Sequence, residues 1–309
     1  MKRRNFLFAA AAGLTGLSFT ELWAWVSGGK TVKNAKVIPP FTKDPIPEKA
    51  LRFFIIGDWG AGGTFQKKVA EAMVTQAQKR KPSYIISTGD NIYPDGVHSA
   101  DDIQWKTKFE MMYNHESIAV PWYAVLGNHD YRSNPDAQTE YHAKNSRWNM
   151  PARYYTWSAA SDIAYFMLDT QMIMQKKAAE QILWFDKAMT QSQARWKIVV
   201  GHHPMRSYGH YGDSQPLLRD IKPIMEKYGA QLYLCGHDHD IQWIKNPADS
   251  FTCLVSGAGG GARDTAYGDH TVFAATNGGF MCMDIEKNTA YITCINARGE
   301  EVFYQKILA

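Results

Sequence analysis

Five apolar runs along this chain stop in the same way, at a glycine followed at once by aspartate, asparagine or histidine. They are FFIIGD, YIISTGD, YAVLGN, KIVVGH and LYLCGH. Each is short and apolar, as a buried strand is. Helix-like segments lie between them: TFQKKVAEAMVTQAQKR, AAEQILWFDKAMTQ and LLRDIKPIMEKYG. Strands alternating with helices predict an α/β fold with parallel strands. In such sheets ligands bind in the crevice outside the carboxyl ends of the strands. Asp58, Asp90, Asn128, His202 and His237 should therefore converge on one site. Past residue 250, FTCLVSG, GFMCMDIE and AYITCIN follow without helices between them. These predict a second sheet, or antiparallel edge strands, packed on the first.

A lone Gly-Asp after a strand is usually a turn, and a lone histidine usually a surface or core residue. Five such strand ends, with Tyr93 and His239 close behind two of them, predict a metal site instead. The donors are carboxylate, amide carbonyl, phenol and imidazole, which are hard to borderline. No thiolate is in the set, which argues against a structural zinc site. One ion holding all seven donors would be saturated and inert. Two ions sharing a carboxylate keep open positions, as two-metal phosphate chemistry requires.

The segments GDWG, GDNIY, GNHD, GHHP and GHDH, in this order, resemble the signature of the purple acid phosphatases, in particular the small tartrate-resistant type, within the metallophosphoesterases. The resemblance covers residues 50–309. It implies a four-layer α/β/β/α sandwich of two mixed sheets flanked by helices, with residues 49–309 as one catalytic domain. It implies that Asp58, Asp90, Tyr93 and His239 hold a ferric ion. Asp90 would bridge to a divalent ion (Fe, Zn or Mn) held by Asn128, His202 and His237. His129 and His210 match positions that face the substrate and handle protons in that family. A phenol with a pKa near 10 ionises at neutral pH only beside a strong Lewis acid, which suits Tyr93 to Fe(III).

The implied reaction is hydrolysis of phosphate monoesters by attack of a metal-bound hydroxide, with His129 and His210 as general acids on a small phosphorylated substrate. A phosphodiesterase or nucleotide hydrolase is the alternative on the same scaffold. A binding protein without turnover would need neither histidine as proton donor. Two departures from the family pattern stand out. LDTQMIMQKKAAEQ is short and lacks cysteine, where small mammalian members carry a disulfide and a clippable loop, so loop-controlled activation should be absent. His203 replaces a frequent tyrosine and is given no role.

Residues 1–29 differ in kind from the rest: a basic start, MKRRNFLF, then small and apolar residues. This is the layout of an export signal, and Arg3-Arg4 resembles the twin-arginine type. The protein is expected outside the cytoplasm, periplasmic or secreted, after transient contact with export machinery. ELWAWVSGG offers no clean A-x-A cleavage site, so an uncleaved membrane anchor is the alternative. Residues 30–48 read as a proline-containing linker. The net charge of +4 is modest and half of it lies in the signal, which gives no reason to expect nucleic acid as a partner. Cys235, Cys253, Cys282 and Cys294 lack metal or redox spacing and read as buried thiols, with pairing left open. Gly257, Gly259 and Ala262 have a dinucleotide-fingerprint spacing, but no apolar helix follows, so a glycine turn at the metal rim is expected. His98, His115, His142 and His270 lack ligand-like neighbours and read as surface or packing residues.

Overall fold

The computed structural model describes residues 31–36 and 41–309, so the expected export signal lies outside the described residues. The strands, in chain order, begin with β1 (Val32–Lys33), β2 (Leu51–Ile56), β3 (Tyr84–Ser87), β4 (Trp122–Ala124) and β5 (Trp148–Asn149). Next come β6 (Tyr155–Ala160), β7 (Ile163–Met167), β8 (Trp196–Val200), β9 (Leu232–Cys235), β10 (Ile241–Ile244) and β11 (Thr252–Ser256). The last are β12 (Thr265–Ala266), β13 (Thr271–Ala275), β14 (Gly279–Glu286), β15 (Thr289–Asn296) and β16 (Glu301–Leu308).

Two seven-stranded sheets result, ordered β16-β15-β14-β2-β3-β4-β5 and β13-β10-β11-β9-β8-β7-β6. The strands that end in Gly-X are parallel within each sheet: β2, β3 and β4 in the first, β8 and β9 in the second. Antiparallel strands flank both. β14 pairs with β2 and carries β15 and β16 outward, while β10 lies between β11 and β13. The late strands thus extend both sheets rather than building one of their own.

The sheets pack face to face over Phe53, Ile55, Tyr165, Ile198, Leu232, Leu254 and Met283, all buried. The hydroxyls of Tyr84 and Tyr165 join across them at 2.7 Å. Burial of this kind stabilises by roughly 25 cal/mol per Å² of apolar surface. Helix α1 (Thr64–Arg80) covers the first sheet with Val69, Met73 and Ala77, four residues apart and so on one face. Over the second lie α4 (Ala179–Gln191), α5 (Gln215–Asp220) and α6 (Lys222–Lys227), burying Phe185, Met189, Leu217 and Met225. The short α2 (Asp136–His142) and α3 (Thr170–Met174) stand nearer the site loops. The order is helix, sheet, sheet, helix. LLRDIKPIMEKYG, read as one helix, is divided between α5 and α6. Pro223 has no N–H to donate back to Arg219, and its fixed φ suits the first turn of a new helix.

All four cysteines are buried free thiols. Part of the expected linker is paired: Val32–Lys33 runs parallel to Thr265–Ala266.

Candidate metal centre

The Gly-X strand ends come from two sheets, three from the first and two from the second. Their meeting point is therefore the gap between sheets, and bonds across it fix the alignment. The His237 N–H donates to Asp58 Oδ2 at 2.9 Å, and Ser256 Oγ donates to the Ile55 carbonyl at 2.7 Å. Asp58, Asp90 and His237 have φ of 56°, 49° and 68°. A non-glycine residue in this left-handed region costs of order 1–3 kcal/mol, and such strain gathers at functional sites. The glycines beside them are forced by space. A Cβ on Gly127 would come within 2.1 Å of Asp90 Oδ1, and one on Gly236 within 2.3 Å of Asp58 Oδ2.

Two groups of side chains meet at Asp90. In one, the Tyr93 hydroxyl oxygen lies 2.9 Å from Asp58 Oδ1, 3.0 Å from Asp90 Oδ2 and 3.1 Å from His239 Nε2. In the other, His202 Nε2 lies 3.1 Å from Asn128 Oδ1, 3.1 Å from His237 Nδ1 and 3.4 Å from Asp90 Oδ2. Asp90, His202 and His237 each offer a ligand atom within 4.8 Å of the others.

The protons do not suffice for these contacts. The phenol has one proton, while two carboxylate oxygens and an imidazole nitrogen crowd its oxygen. His202 Nδ1 faces the Thr88 carbonyl at 2.9 Å, where its N–H donates, so in the neutral ring Nε2 is a lone pair aimed at further lone pairs. Such an arrangement asks for cations. Without them, burial pushes Asp58 well above the usual carboxylate range, and burial with Asp58 and Asp90 pushes the Tyr93 phenol up. Burial pulls His202 down, but Asp90 and Asp58 outweigh it and bring it to about 9. Burial and Arg263 hold His239 at about 3, and burial with His202 also depresses His237, which keeps both rings in the neutral form that ligates metals.

The Calcineurin-like phosphoesterase family matches residues 51–240. The chain is 32% identical over 280 residues to purple acid phosphatase 17 of Arabidopsis thaliana, covering 83% of this chain and 80% of that one. It is 28% identical over 309 residues to tartrate-resistant acid phosphatase type 5 of Rattus norvegicus, covering 86% and 93%. The chain belongs to the purple acid phosphatases. Among solved structures, GAP50, the anchor in the inner membrane complex of Plasmodium, shares the fold with a TM-score of 0.75 at 23% identity, over 84% of this chain and 89% of that one.

A purple acid phosphatase is a hydrolase of phosphate esters, and the residues around the two groups bear on that chemistry. His129 donates its backbone N–H to Asp90 Oδ1 at 2.8 Å, and its ring packs on Tyr93 with centroids 4.5 Å apart. Its Nδ1 faces the Pro94 carbonyl at 2.5 Å, and Arg132 Nη2 lies 3.2 Å from its Nε2. His210 is exposed and sits beside Tyr211, centroids 4.8 Å apart; the ring stacked on His237 is that of Tyr211, at 3.9 Å. His203 lies 4.6 Å from the His237 ring, and Thr170 Oγ1, which accepts the N–H of both His202 and His203, faces its Nδ1 at 2.8 Å.

Asp130 was not singled out by sequence, although it closes GNHD. It is fully buried and accepts N–H groups from Gly127, Asn91 and Ile92 and the amide of Gln138, which ties the Asp90 and Asn128 loops together. Arg132, Tyr211 and Arg263 were also not anticipated, since nothing local marks a loop side chain that reaches a site formed elsewhere. The glycine turn lies at the rim as expected: the Gly260 N–H donates to the Asp58 carbonyl at 2.7 Å. His98, His115, His142 and His270 stand apart from both groups, in turn or packing contacts such as His142 Nδ1 against the Trp148 carbonyl at 2.8 Å. No helix among the described residues is long and apolar enough to cross a membrane.

Proposed function

We propose that this purple acid phosphatase is an exported, binuclear monoesterase. In this reading Asp58, Asp90, Tyr93 and His239 hold Fe(III). Asp90, Asn128, His202 and His237 hold a divalent ion (Fe, Zn or Mn). The observation that carries it is the double convergence on Asp90, where lone pairs outnumber the protons available to them. The donor set fits the group: oxygen and imidazole donors with no thiolate. Bound there, the ions would supply Lewis acidity and an activated nucleophile.

The chain's own residues have separable tasks. The Thr88 carbonyl fixes the His202 tautomer, so that Nε2 is the free ligand atom. The His237 N–H and His129 N–H each hold one carboxylate oxygen, of Asp58 and Asp90, leaving the other oxygen of each for the centre. His129, 3.9 Å from Asp90 Oδ2, is placed to give a proton to a leaving oxygen. His210, one ring further out, is the second donor in this reading. Arg3-Arg4 directs export, and a signal left uncleaved would anchor the enzyme.

Release of phosphate from an aryl phosphate, with metal analysis of the purified protein, tests the centre; a protein free of iron yet fully active overturns the ferric assignment. A bis-aryl phosphate hydrolysed faster than the monoester would make it a diesterase. Arg3-Arg4 changed to lysines should retain the enzyme in the cytoplasm.

A further inference from the structure

The loop from Arg206 to Asp213 follows β8 and carries His210 and Tyr211 beside the centre, with no helix or strand in it. Among the described residues, none of its N–H groups donates to a backbone carbonyl. The backbone closes only beyond it, where the Ser214 N–H reaches the Met205 carbonyl at 3.2 Å. Side chains take the loop's own donors. The Ser207 N–H goes to Asp213 Oδ1 at 3.0 Å and the Tyr208 N–H to Gln242 Oε1 at 2.9 Å. The Gly209 N–H goes to Ser207 Oγ at 2.9 Å and the Tyr211 N–H to Asp238 Oδ1 at 3.2 Å. Backbone donors need partners, so the shape of this loop depends on those side chains.

Asp238 is the hub of the set. It lies just past β9, between His237 and His239, with 1% of its surface exposed. Its Oδ2 accepts the Ser207 hydroxyl while Oδ1 holds Tyr211. Ser207 Oγ already accepts the Gly209 N–H and, at 2.8 Å, the Gln242 amide, so its one proton is committed to Asp238. Gly209 lies directly on the carboxylate: a Cβ there would come within 2.6 Å of Asp238 Cγ. Arg263 supplies countercharge, acting on Asp238 and on buried Asp240. Arg206 braces the outer side of the loop, on Asp213 at 2.7 Å and Asp249 at 2.9 Å. On the metal side the hold is Asp238. The contacts close a ring, since Tyr211 stacks on His237 at 3.9 Å and His237 precedes Asp238 in the chain. The exposed His210 ring packs on Tyr211 and makes no hydrogen bond among the described residues, so the loop sets where it stands.

We propose that Asp238 is a positioning residue for proton transfer: through Ser207 and Tyr211 it fixes the His210 loop against the turn that carries His237 and His239. The inference rests on His210 as a proton donor, as read above.

The test compares an alkyl and an aryl phosphate, whose leaving oxygens do and do not need a proton, on the metal-loaded enzyme. In Asp238→Ala the alkyl-to-aryl ratio of kcat should fall about 10- to 100-fold with KM little changed, because a misplaced donor loses much of its effect. Asp238→Asn keeps an acceptor for the Tyr211 N–H and should recover part of the ratio. Ser207→Ala should lower it a few-fold. Added to His210→Ala, Asp238→Ala should lower the ratio no further. Amide exchange in residues 207–211, followed by mass spectrometry, should quicken in Asp238→Ala while that of β9 does not. Equal losses on both esters, an unchanged ratio, a further fall in the double variant or unchanged exchange overturns the positioning role. Should Asp238→Ala not fold, Ser207→Ala decides by the same ratio and the same exchange. If His210→Ala itself leaves the ratio at the wild-type value, the donor reading fails, and this proposal with it.

Discussion

The two ends of β2 carry buried charge, and they are built on different rules. Near its start, Asp284 accepts from Arg80 at 2.7 Å and from Arg52 at 3.1 Å, and Arg80 also reaches Glu301 at 2.9 Å. Every carboxylate there has a guanidinium, and the cluster is complete. Beyond its other end, Asp58 and Asp90 are as deeply buried, but among the described residues they meet only histidine as a basic side chain. Burial alone therefore does not distinguish a structural charge from a functional one. What distinguishes them is whether the chain supplies the countercharge itself.

The sharpest break of that contrast is Asp90→Asn, which removes the one carboxylate common to both groups. Loss of an outer-shell partner typically costs 10–100-fold, so losing a ligand shared by two ions should cost about 1000-fold in kcat/KM. Asn128→Ala should cost less. Equal, small losses from both would place the chemistry elsewhere. At the matched end the same kind of change should act on stability instead. Arg80→Met leaves Asp284 buried with only Arg52, and urea unfolding should show a loss of about 3–5 kcal/mol with kcat/KM within twofold of wild type. An unchanged midpoint would mean that the cluster is solvated in solution.

Asp58→Asn, measured in chelator, should have the opposite sign. Burial raises the folded-state pKa of Asp58, so ionisation at neutral pH opposes folding and the variant should be at least as stable as wild type. Added metal should then favour wild type, by about 2.7 kcal/mol at a concentration of 100 Kd. A variant that is less stable in chelator would show that Asp58 is already compensated. The smallest effect is expected at Asp169, an intermediate case whose carboxylate is bound by the Tyr131 hydroxyl and the Met172 N–H. Burial raises it to about 6 against those bonds. The stability of its neutral form is present below about pH 4 and lost as pH rises through about 6. Asp169→Asn should gain about 1–3 kcal/mol over wild type at pH 7, and the gap should close by pH 4.

The ends of β2, β3, β4, β8 and β9 were legible because glycine and the residue after it are neighbours in the chain, and the strand sets where that residue points. Fold class and the seven convergent donors followed from local pattern and resemblance together. The division of those strands between two sheets was not legible, since β14 reaches β2 from the far end of the chain and no local signal records the pairing. The break at Pro223 follows from proline chemistry, which outweighs the continuous helical apolar spacing of that segment. Tyr211 and Arg263 escaped for a different reason. Each is an ordinary loop residue until the fold lays one over the other, and His210 drew attention only because it was a histidine.

One small element bears on how such an enzyme can be handled. β1 lies along β12, which starts two residues after Arg263, through bonds of Thr265 N–H to Thr31 O at 3.1 Å and Tyr267 N–H to Lys33 O at 2.9 Å. Whatever is joined ahead of Thr31, be it a lipid-bound tether, a purification tag or a bead, hangs from the rim of the cleft. Bulk or tension there is transmitted to the Arg263 loop through a two-residue ladder, which is a weak mechanical link. A support grafted behind Leu308 loads β16 instead, an eight-residue strand paired with β15 along its length save for one register shift near Glu301.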